Sequence, residues 1–200
     1  MPAANFWVSD ASFSRCGHYR WWLSRGSNAS ERTLLFIGLN PSLASVSRDD
    51  PTLRRLLGFA DRWHYGRLVV VNLFARISPS PVVLRRSDDP IGDLNDVVID
   101  DWLDHWSSSP ESDLFCGWGV QGQWLDRDLV VIPMIQQHHN RRRQCFPLAL
   151  GPQSLGKTKG GQPRHPLYLS GQAPLQPILW AEPPLIRHPE AMDPLRTVRR

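Results

Sequence analysis

The sequence predicts an α/β fold, a three-layer α/β/α sandwich around a central, mainly parallel sheet of four strands. Apolar runs of strand length alternate along the chain with helix-length amphipathic segments, a pattern typical of parallel sheets. The runs are continuously apolar, as expected of strands that are covered on both faces. The chain has 200 residues, 41% of them hydrophobic and 21% charged, which is enough for one ordinary globular domain.

The first half of the chain predicts two buried strands with a helix between them. Residues 33–40 (TLLFIGLN) form a short apolar run that ends at glycine and Asn-Pro, so a strand should pass into a loop there. Residues 50–63 predict a helix, because Asp50 suits the N-cap, Pro51 suits the first helical position, and leucines follow at helical spacing. Residues 66–74 (GRLVVVNLF) predict the second strand.

The second half is less regular. Residues 93–106 predict an amphipathic helix, and residues 113–118 predict a third strand that is closed by GWGVQG. Residues 128–137 fit a strand or a helix equally well, and residues 144–150 (QCFPLAL) are the candidate fourth strand. Proline becomes frequent after Leu169, so we expect one domain over residues 1–181 and a poorly ordered tail over residues 182–200.

Charge is unevenly distributed along the chain. The sum of 23 Lys+Arg and 19 Asp+Glu is only +4, but residues 88–128 hold eleven acidic residues against Arg127 alone. Residues 129–181 hold no acidic residue at all, and their cations favour an anionic partner such as a nucleotide or a nucleic acid. Solvation of surface charge is the alternative explanation. The triplet at residues 141–143 is interpreted first as a solvated turn and otherwise as a phosphate contact.

The remaining composition excludes several classes of protein. No apolar run is long enough to span a membrane, and the first residues lack the basic-then-apolar pattern of a secretory signal. Cys16, Cys116 and Cys145 are far apart and odd in number, so neither a disulfide framework nor a metal site is predicted. We expect a cytoplasmic protein without a cofactor; its oligomeric state is left open.

Polar residues follow three of the predicted strands: Asn40-Pro41-Ser42, Asn72, and Trp118-Gly119. Ligands of parallel α/β sheets bind at the carboxyl ends of the strands, so these residues are candidates for a site. Each also has a structural explanation when it is taken singly. Asn40 could bond its own loop, Asn72 could satisfy loop backbone, and His165, which follows later between arginine and proline, could be merely exposed.

Four motifs in order, GLNPS, VVVNLF, CGWGVQG and PRHPLYL, resemble the uracil-DNA glycosylase superfamily. The resemblance implies that Asn40 holds the attacking water and that Asn72 reads the polar edge of the base. It also implies that His165 stabilises the departing base. Pro41, Ser42, Phe74, Trp118 and Arg164 are then substrate-binding candidates, and Lys157 and Lys159 are phosphate-binding candidates on a basic rim.

A closer resemblance covers the chain from about His18 to Leu169. The strings that carry it are, in order along the chain, HYRWWL, GLNPS, DPTLRR, WHYG, VVVNLF, DDPIG with Asn95-Asp96, CGWG and LGKTKGGQPRHPLYL. They are similar to the motifs of the bacterial and phage family called Domain of Unknown Function 1643. The name of that family records no activity. This resemblance therefore bears on the fold and the location of the site, and leaves the chemistry to the residues.

The chain departs from the glycosylase pattern at two motifs. Ser42 stands where the superfamily has a glycine, and the motif around His165 lacks the serine and the intercalating loop that follow in the superfamily. Base flipping from duplex DNA is therefore not expected, and a nucleotide or single strand is favoured. Asp50 is interpreted as a helix cap before a general base, and GPQSLGKT matches the phosphate-loop expression by chance, since no helix can follow it.

The function predicted from these residues is binding of a nucleobase in a nucleotide or nucleic acid, with hydrolysis of its N-glycosidic bond as the catalytic form. A non-catalytic nucleic-acid-binding module is the first alternative, and an enzyme acting on another small anionic substrate is the second. Trp21, Trp22 and Trp63 could stack bases, although tryptophans beside helical leucines are more often part of the core.

Overall fold

A seven-stranded mixed sheet forms the centre of the computed structural model, which describes residues 8–27, 29–42 and 48–180. The strands are β1 (Val8–Phe13), β2 (Arg20–Gly26), β3 (Thr33–Gly38), β4 (Arg67–Asn72), β5 (Ser112–Cys116), β6 (Gln153–Ser154) and β7 (Gln176–Pro177). Their order in the sheet is β1-β2-β4-β3-β5-β6-β7. The pairs β4–β3, β3–β5 and β5–β6 are parallel, and the pairs β1–β2, β2–β4 and β6–β7 are antiparallel.

The α/β class is confirmed, whereas the predicted number of four strands is too small. The sheet is also mixed and not mainly parallel, since three of its six strand pairs are antiparallel. β1 (VSDASF) and β2 (RWWLSRG) extend the sheet on one side. Polar residues alternate with apolar ones in β1 and flank the short WWL run in β2, so neither strand has the long continuous apolar run expected of a doubly covered strand. The predicted strand over residues 144–150 is wrong. Cys145 ends a helix, and Leu148 is 99% exposed, so the fourth strand in the parallel group is instead the two-residue β6.

Four α-helices are found in the described part of the chain: α1 (Pro51–Arg62), α2 (Pro81–Leu84), α3 (Asn95–Ser107) and α4 (Arg127–Cys145). The predicted start of α1 is confirmed, because the Asp50 carboxylate accepts a hydrogen bond from the backbone N–H of Leu53 at 2.6 Å. α3 confirms the helix predicted over residues 93–106. The short α2 begins after Ser80, whose hydroxyl accepts from the N–H of Val83.

The ambiguous segment at residues 128–137 is helical and belongs to α4. Val131, Ile135, His138 and Arg142 are buried at intervals of three or four residues, so one face of the helix meets the rest of the protein. Pro133 lies inside α4 but on an exposed position. The periodicity of burial therefore outweighs the hydrogen bond that proline cannot donate.

Two apolar clusters lie on opposite faces of the sheet, because alternate residues of β3 contribute to different clusters. Leu34 and Phe36 join the cluster that contains Leu53, Leu56 and Phe59 of α1. Leu35 and Ile37 join the cluster that contains Ile99 and Leu103 of α3 with Val131 and Ile135 of α4. Full burial of each such side chain contributes roughly 1.5–3 kcal/mol, so helices on both faces hold the central strands in place.

Two of the remaining predictions concern the ends of the chain and the membrane. The predicted tail over residues 182–200 lies outside the described residues. Within the described ranges, every helix is too short or too polar to cross a membrane.

Candidate functional site

A cavity of about 510 Å³ opens where β3, β4 and β5 end. Its size is typical of sites for small ligands. Six of the residues predicted from the sequence line it: Asn40, Ser42, Asn72, Trp118, Arg164 and His165. The carboxyl ends of the three parallel strands bring together motifs that are up to 125 positions apart, from Asn40 to His165.

Asn72 is the buried polar group of the cavity wall. Only 3% of the residue is exposed, and its Nδ2 is buried without a hydrogen-bond partner among the described residues. Gly38 lies against it, since a Cβ at that position would stand 2.9 Å from Asn72 Oδ1. The backbone here is held by Asn95, whose Nδ2 donates to the carbonyls of Asn72 at 3.1 Å and Leu73 at 2.9 Å.

Asn40 has one end of its amide engaged by the protein. Its Nδ2 donates to the carbonyl oxygens of Pro41 at 2.9 Å and Ser78 at 3.0 Å, which ties two loops together. The explanation that Asn40 forms hydrogen bonds with loop backbone is thus confirmed for its amide nitrogen. Oδ1 is the end that is left to accept a hydrogen bond from a ligand or a water molecule.

His165 lies in the wall of the cavity and is partly buried. Burial lowers the pKa of His165 below its ordinary value of 6.5, although the Asp50 carboxylate acts in the opposite direction. The N–H of Leu167 donates to His165 Nδ1 at 3.3 Å. Because Nδ1 accepts a hydrogen bond, the ring proton lies on Nε2, which can donate to a ligand.

A polar wall beside His165 was missed by the sequence analysis. Arg20, the first residue of β2, lines the cavity with only 4% of the residue exposed, and burial lowers its pKa to about 10 against the effect of Asp50. The Ser42 hydroxyl donates to one oxygen of Asp50, while the other oxygen caps α1. Asp50 is thus engaged as the predicted cap. In the sequence, Arg20 is noted only as part of the HYRWWL motif of the family, and that motif gives it no chemical role.

The CGWG segment fixes the wall after β5. Trp118 is 1% exposed, and its Nε1 donates to Gln162 Oε1 at 2.7 Å. Gln162 in turn donates to Asp128 Oδ2 at 2.6 Å, which anchors the indole to α4. Gly119 has a φ of +71°, a region that favours glycine, and a Cβ there would lie 3.5 Å from the Cβ of His165. Glycine is thus favoured at position 119 by its backbone conformation, whereas at Gly117 the close approach of Pro166, 3.1 Å from the position of a Cβ, favours it.

Four predicted site residues do not line the cavity. Phe74 is fully buried and packs on Trp124 with ring centroids 4.9 Å apart, so its side chain belongs to the core. Pro41 is buried and contributes its carbonyl to the loop contacts of Asn40 and of the Ser78 N–H. Lys157 Nζ donates to the carbonyl of Leu179, and Lys159 is exposed in a turn. The predicted roles of these four residues gain no support from the geometry.

Other features of the sequence also have definite places. Trp21 stacks on Tyr19, Trp22 meets Trp102, and Trp63 stacks on Phe59; none of these three tryptophans lines the cavity. The segment after GPQSLGKT forms turns and bridges instead of a helix, as expected of a chance match. Among the described residues, no group of three or more His, Cys, Asp or Glu side chains is arranged to hold a metal ion.

The fold and the cavity define an α/β protein with a ligand-sized site at the carboxyl ends of its parallel strands. The family model described as a protein of unknown function, DUF1643, matches residues 20–167, and the chain belongs to this family. The match spans the cavity wall except Tyr168 and Leu169. Searches of the curated proteins and of the solved structures found no match. The likeness to uracil-DNA glycosylases therefore stays a prediction.

Proposed function

We propose that the cavity binds the nucleobase of a nucleotide or of a single-stranded nucleic acid. The observation that carries this proposal is the amide of Asn72, buried in the cavity wall with its Nδ2 unpaired among the described residues. A buried polar group without a partner costs roughly 1–3 kcal/mol, which a ligand with a complementary polar edge would offset. An amide offers both a donor and an acceptor, as the edge of a base requires.

The other walls suit the remaining parts of such a ligand. Phe36, Leu53, Leu56 and Val70 line the cavity and present apolar surface to the flat faces of a base. Arg164 is exposed on the wall, and its guanidinium makes no hydrogen bond or ion pair with the described residues. A guanidinium in that situation can bind a phosphate bidentately. A base that carries a phosphate matches the amide of Asn72, the apolar side chains and the guanidinium of Arg164.

The same proposal includes a uracil-DNA glycosylase-like fold. In its support, four neighbouring strands of the sheet run parallel, and GLNPS, VVVNLF and CGWG each end one of them. The PRHPLYL motif joins the same cavity from the far end of the chain. Ser42 is the departure from the superfamily pattern, and its hydroxyl is engaged by Asp50.

Hydrolysis of the N-glycosidic bond is the reaction that we assign to this site. Water adds to the anomeric carbon as the carbon–nitrogen bond breaks, the bonding electrons leave with the base, and the displaced water proton goes to the base or to solvent. His165 Nε2–H would stabilise the charge on the departing base, and Asn40 Oδ1 would accept a hydrogen bond from the water. Asp50 is engaged as a cap, so the site lacks a strong base and we expect slow turnover.

The binding proposal is tested with Asn72→Ala. Affinity for the four nucleoside monophosphates and for short single-stranded oligonucleotides is measured by calorimetry on the wild type and the variant. Loss of one or two hydrogen bonds should weaken binding about tenfold to a hundredfold, with an unchanged circular dichroism spectrum. Asn140→Ala is the control, because Asn140 is exposed on α4 and should bind as the wild type does. Unchanged affinity in Asn72→Ala would count against the proposal.

The catalytic proposal has a separate test. Wild type and His165→Ala are incubated with oligonucleotides that contain uracil, hypoxanthine or a mismatch, and abasic sites are scored. Cleavage by the wild type that is strongly reduced in the variant supports the assignment. Equal cleavage by both proteins defeats the role of His165. Binding without any cleavage would favour a non-catalytic nucleic-acid-binding module, and binding of phosphate compounds that lack a base would favour another small anionic substrate.

A further inference from the structure

Tyr168 is a large aromatic side chain exposed at the cavity. The residue is 83% exposed and lines the cavity, so its ring faces solvent where a ligand would enter. Its ring centroid lies 5.7 Å from that of His165, with 46° between the two planes. No hydrogen bond within the described residues engages its hydroxyl. An exposed aromatic ring beside a binding site is a surface on which a second flat group can stack.

The backbone around Tyr168 is anchored on both sides of the residue. The ring belongs to the short turn Pro166–Tyr168, in which Pro166 is buried and has a restricted φ. Gly117 allows the close approach of this turn, since a Cβ there would stand 3.1 Å from Pro166 Cδ. On the other side, the Arg55 guanidinium donates to the carbonyl of Leu169. The backbone that carries Tyr168 is therefore fixed at the edge of the cavity, and the His165 ring is the aromatic neighbour of its side chain.

Positive charge lies on the same part of the surface. Arg164 lines the cavity four positions before Tyr168, and it is exposed and engages none of the described residues by hydrogen bond or ion pair. A platform for stacking next to an available cation is the arrangement by which proteins hold single-stranded nucleic acids. A free mononucleotide has only one base, which the cavity would already enclose, so it would leave the ring of Tyr168 unused.

We infer that Tyr168 stacks on the nucleobase adjacent to the one in the cavity, with Arg164 on the phosphate between them. The ligand is then a single-stranded nucleic acid chain and not a free nucleotide. This inference rests on the proposed function, because the cavity must first hold a base. DNA and RNA share the base and phosphate chemistry on which it depends, so the two are separated by the test.

The test compares two ligand sizes on the same variants. Affinities for the four nucleoside monophosphates and for single-stranded homohexamers of DNA and of RNA are measured by calorimetry and fluorescence anisotropy. We expect the hexamers to bind more tightly than the monophosphates. Tyr168→Ala should weaken hexamer binding roughly fivefold to a hundredfold and weaken monophosphate binding much less. Tyr168→Phe should retain tight binding, since the ring alone stacks.

Two controls separate stacking from general effects. Phe13→Ala removes an aromatic side chain of β1 that is 38% exposed and does not line the cavity, so both affinities should be unchanged. Arg164→Gln should lower the salt dependence of hexamer binding by the equivalent of one phosphate, a slope of about 0.7 on a double-logarithmic plot.

The outcomes distinguish this inference from the proposed function. Monophosphates that bind as tightly as hexamers, or equal effects of Tyr168→Ala on both ligands, would overturn the stacking platform alone. Tighter binding to duplex than to single-stranded hexamers would overturn it as well. The proposed function itself fails if neither ligand binds or if Asn72→Ala retains full affinity for both.

Discussion

Replacing the side chain of Arg142 tests directly how the elements of this fold are held together. The three arginines at residues 141–143 suggest a solvated turn or a phosphate contact, but the guanidinium of Arg142 is completely buried beneath the end of α4. It donates to five backbone carbonyls, those of Trp106, Ser109, Pro110, Ser112 and Leu150. One side chain therefore joins the end of α3, the turn before β5 and the loop after α4.

Arg142→Met keeps the apolar stem of the side chain and removes every donor. The carbonyls of Ser112 at 2.7 Å and Leu150 at 3.0 Å would lose a charged donor, and each unsatisfied buried carbonyl costs about 1–3 kcal/mol. Asp113, 3.9 Å from the guanidinium, would keep its bonds from Tyr65 and Arg32. Partial relaxation and entry of water reduce the sum, so we expect a loss of about 3–5 kcal/mol in the free energy of unfolding.

Urea unfolding followed by circular dichroism measures this loss as a lower midpoint at an unchanged m value. Arg143→Met is the matched control, because Arg143 is exposed and makes no hydrogen bond or ion pair with the described residues. Its unfolding free energy should stay within about 0.5 kcal/mol of the wild type. A loss below about 1 kcal/mol in Arg142→Met would refute the reasoning, since the carbonyls would then be satisfied without the guanidinium. Neither arginine lines the cavity, so both variants should retain ligand affinity.

Three further predictions concern the cavity. Because burial lowers the pKa of His165 below 6.5, the unfolded chain takes up the proton first as the pH falls. The contribution of His165 to the free energy of unfolding should therefore be constant above pH 6.5 and decline below it, and His165→Gln should weaken this dependence in urea unfolding. The same pH dependence in wild type and variant would contradict this. Gly38→Ala should weaken binding about tenfold in calorimetry, since its Cβ would stand 2.9 Å from Asn72 Oδ1, whereas Gly58→Ala, with open space at its Cβ, should not. Asn95→Ala should lower the unfolding free energy by about 1–3 kcal/mol and weaken binding, because two backbone carbonyls beside the cavity lose their donor. Asn95→Asp has no side-chain donor, so it should show the same losses as Asn95→Ala in urea unfolding and in calorimetry. Wild-type stability and affinity in either variant would exclude a role for Asn95 in positioning the cavity wall.

Most of the central elements could be predicted from local patterns. β3 and β4 are continuous apolar runs, and α1 begins at an Asp-Pro pair whose capping geometry depends only on neighbouring residues. The gathering of Asn40, Asn72, Trp118 and His165 around one cavity was also predictable. It follows from the rule that parallel strands present their carboxyl ends at one edge, together with the order of the family motifs.

Local patterns failed wherever the decisive contact is distant in the chain. Arg20 is marked in the sequence only by the HYRWWL motif. The pairing of β2 with β4, and the hydrogen bond from the Arg20 N–H to the carbonyl of Ala75, bring it to the cavity near Asp50. Residues 128–137 fit two structures by periodicity, and packing against α3 selected the helix. A chain of polar groups from Trp118 through Gln162 to Asp128 has no signal in the sequence, because its members are separated by other elements.

Local patterns in the sequence are enough to predict the class of fold, the central strands and helices, and the edge of the sheet that holds the candidate site. Those properties depend on hydrophobic periodicity and capping, which act over a few residues. Which side chains have polar atoms available for a ligand depends on the folded arrangement. Asn40 and Asn72 are the same amino acid. The amide nitrogen of Asn40 donates to two loop carbonyls, whereas that of Asn72 has no hydrogen-bond partner among the described residues. The availability of a polar group depends on partners from remote segments, and only the folded chain brings those partners into place.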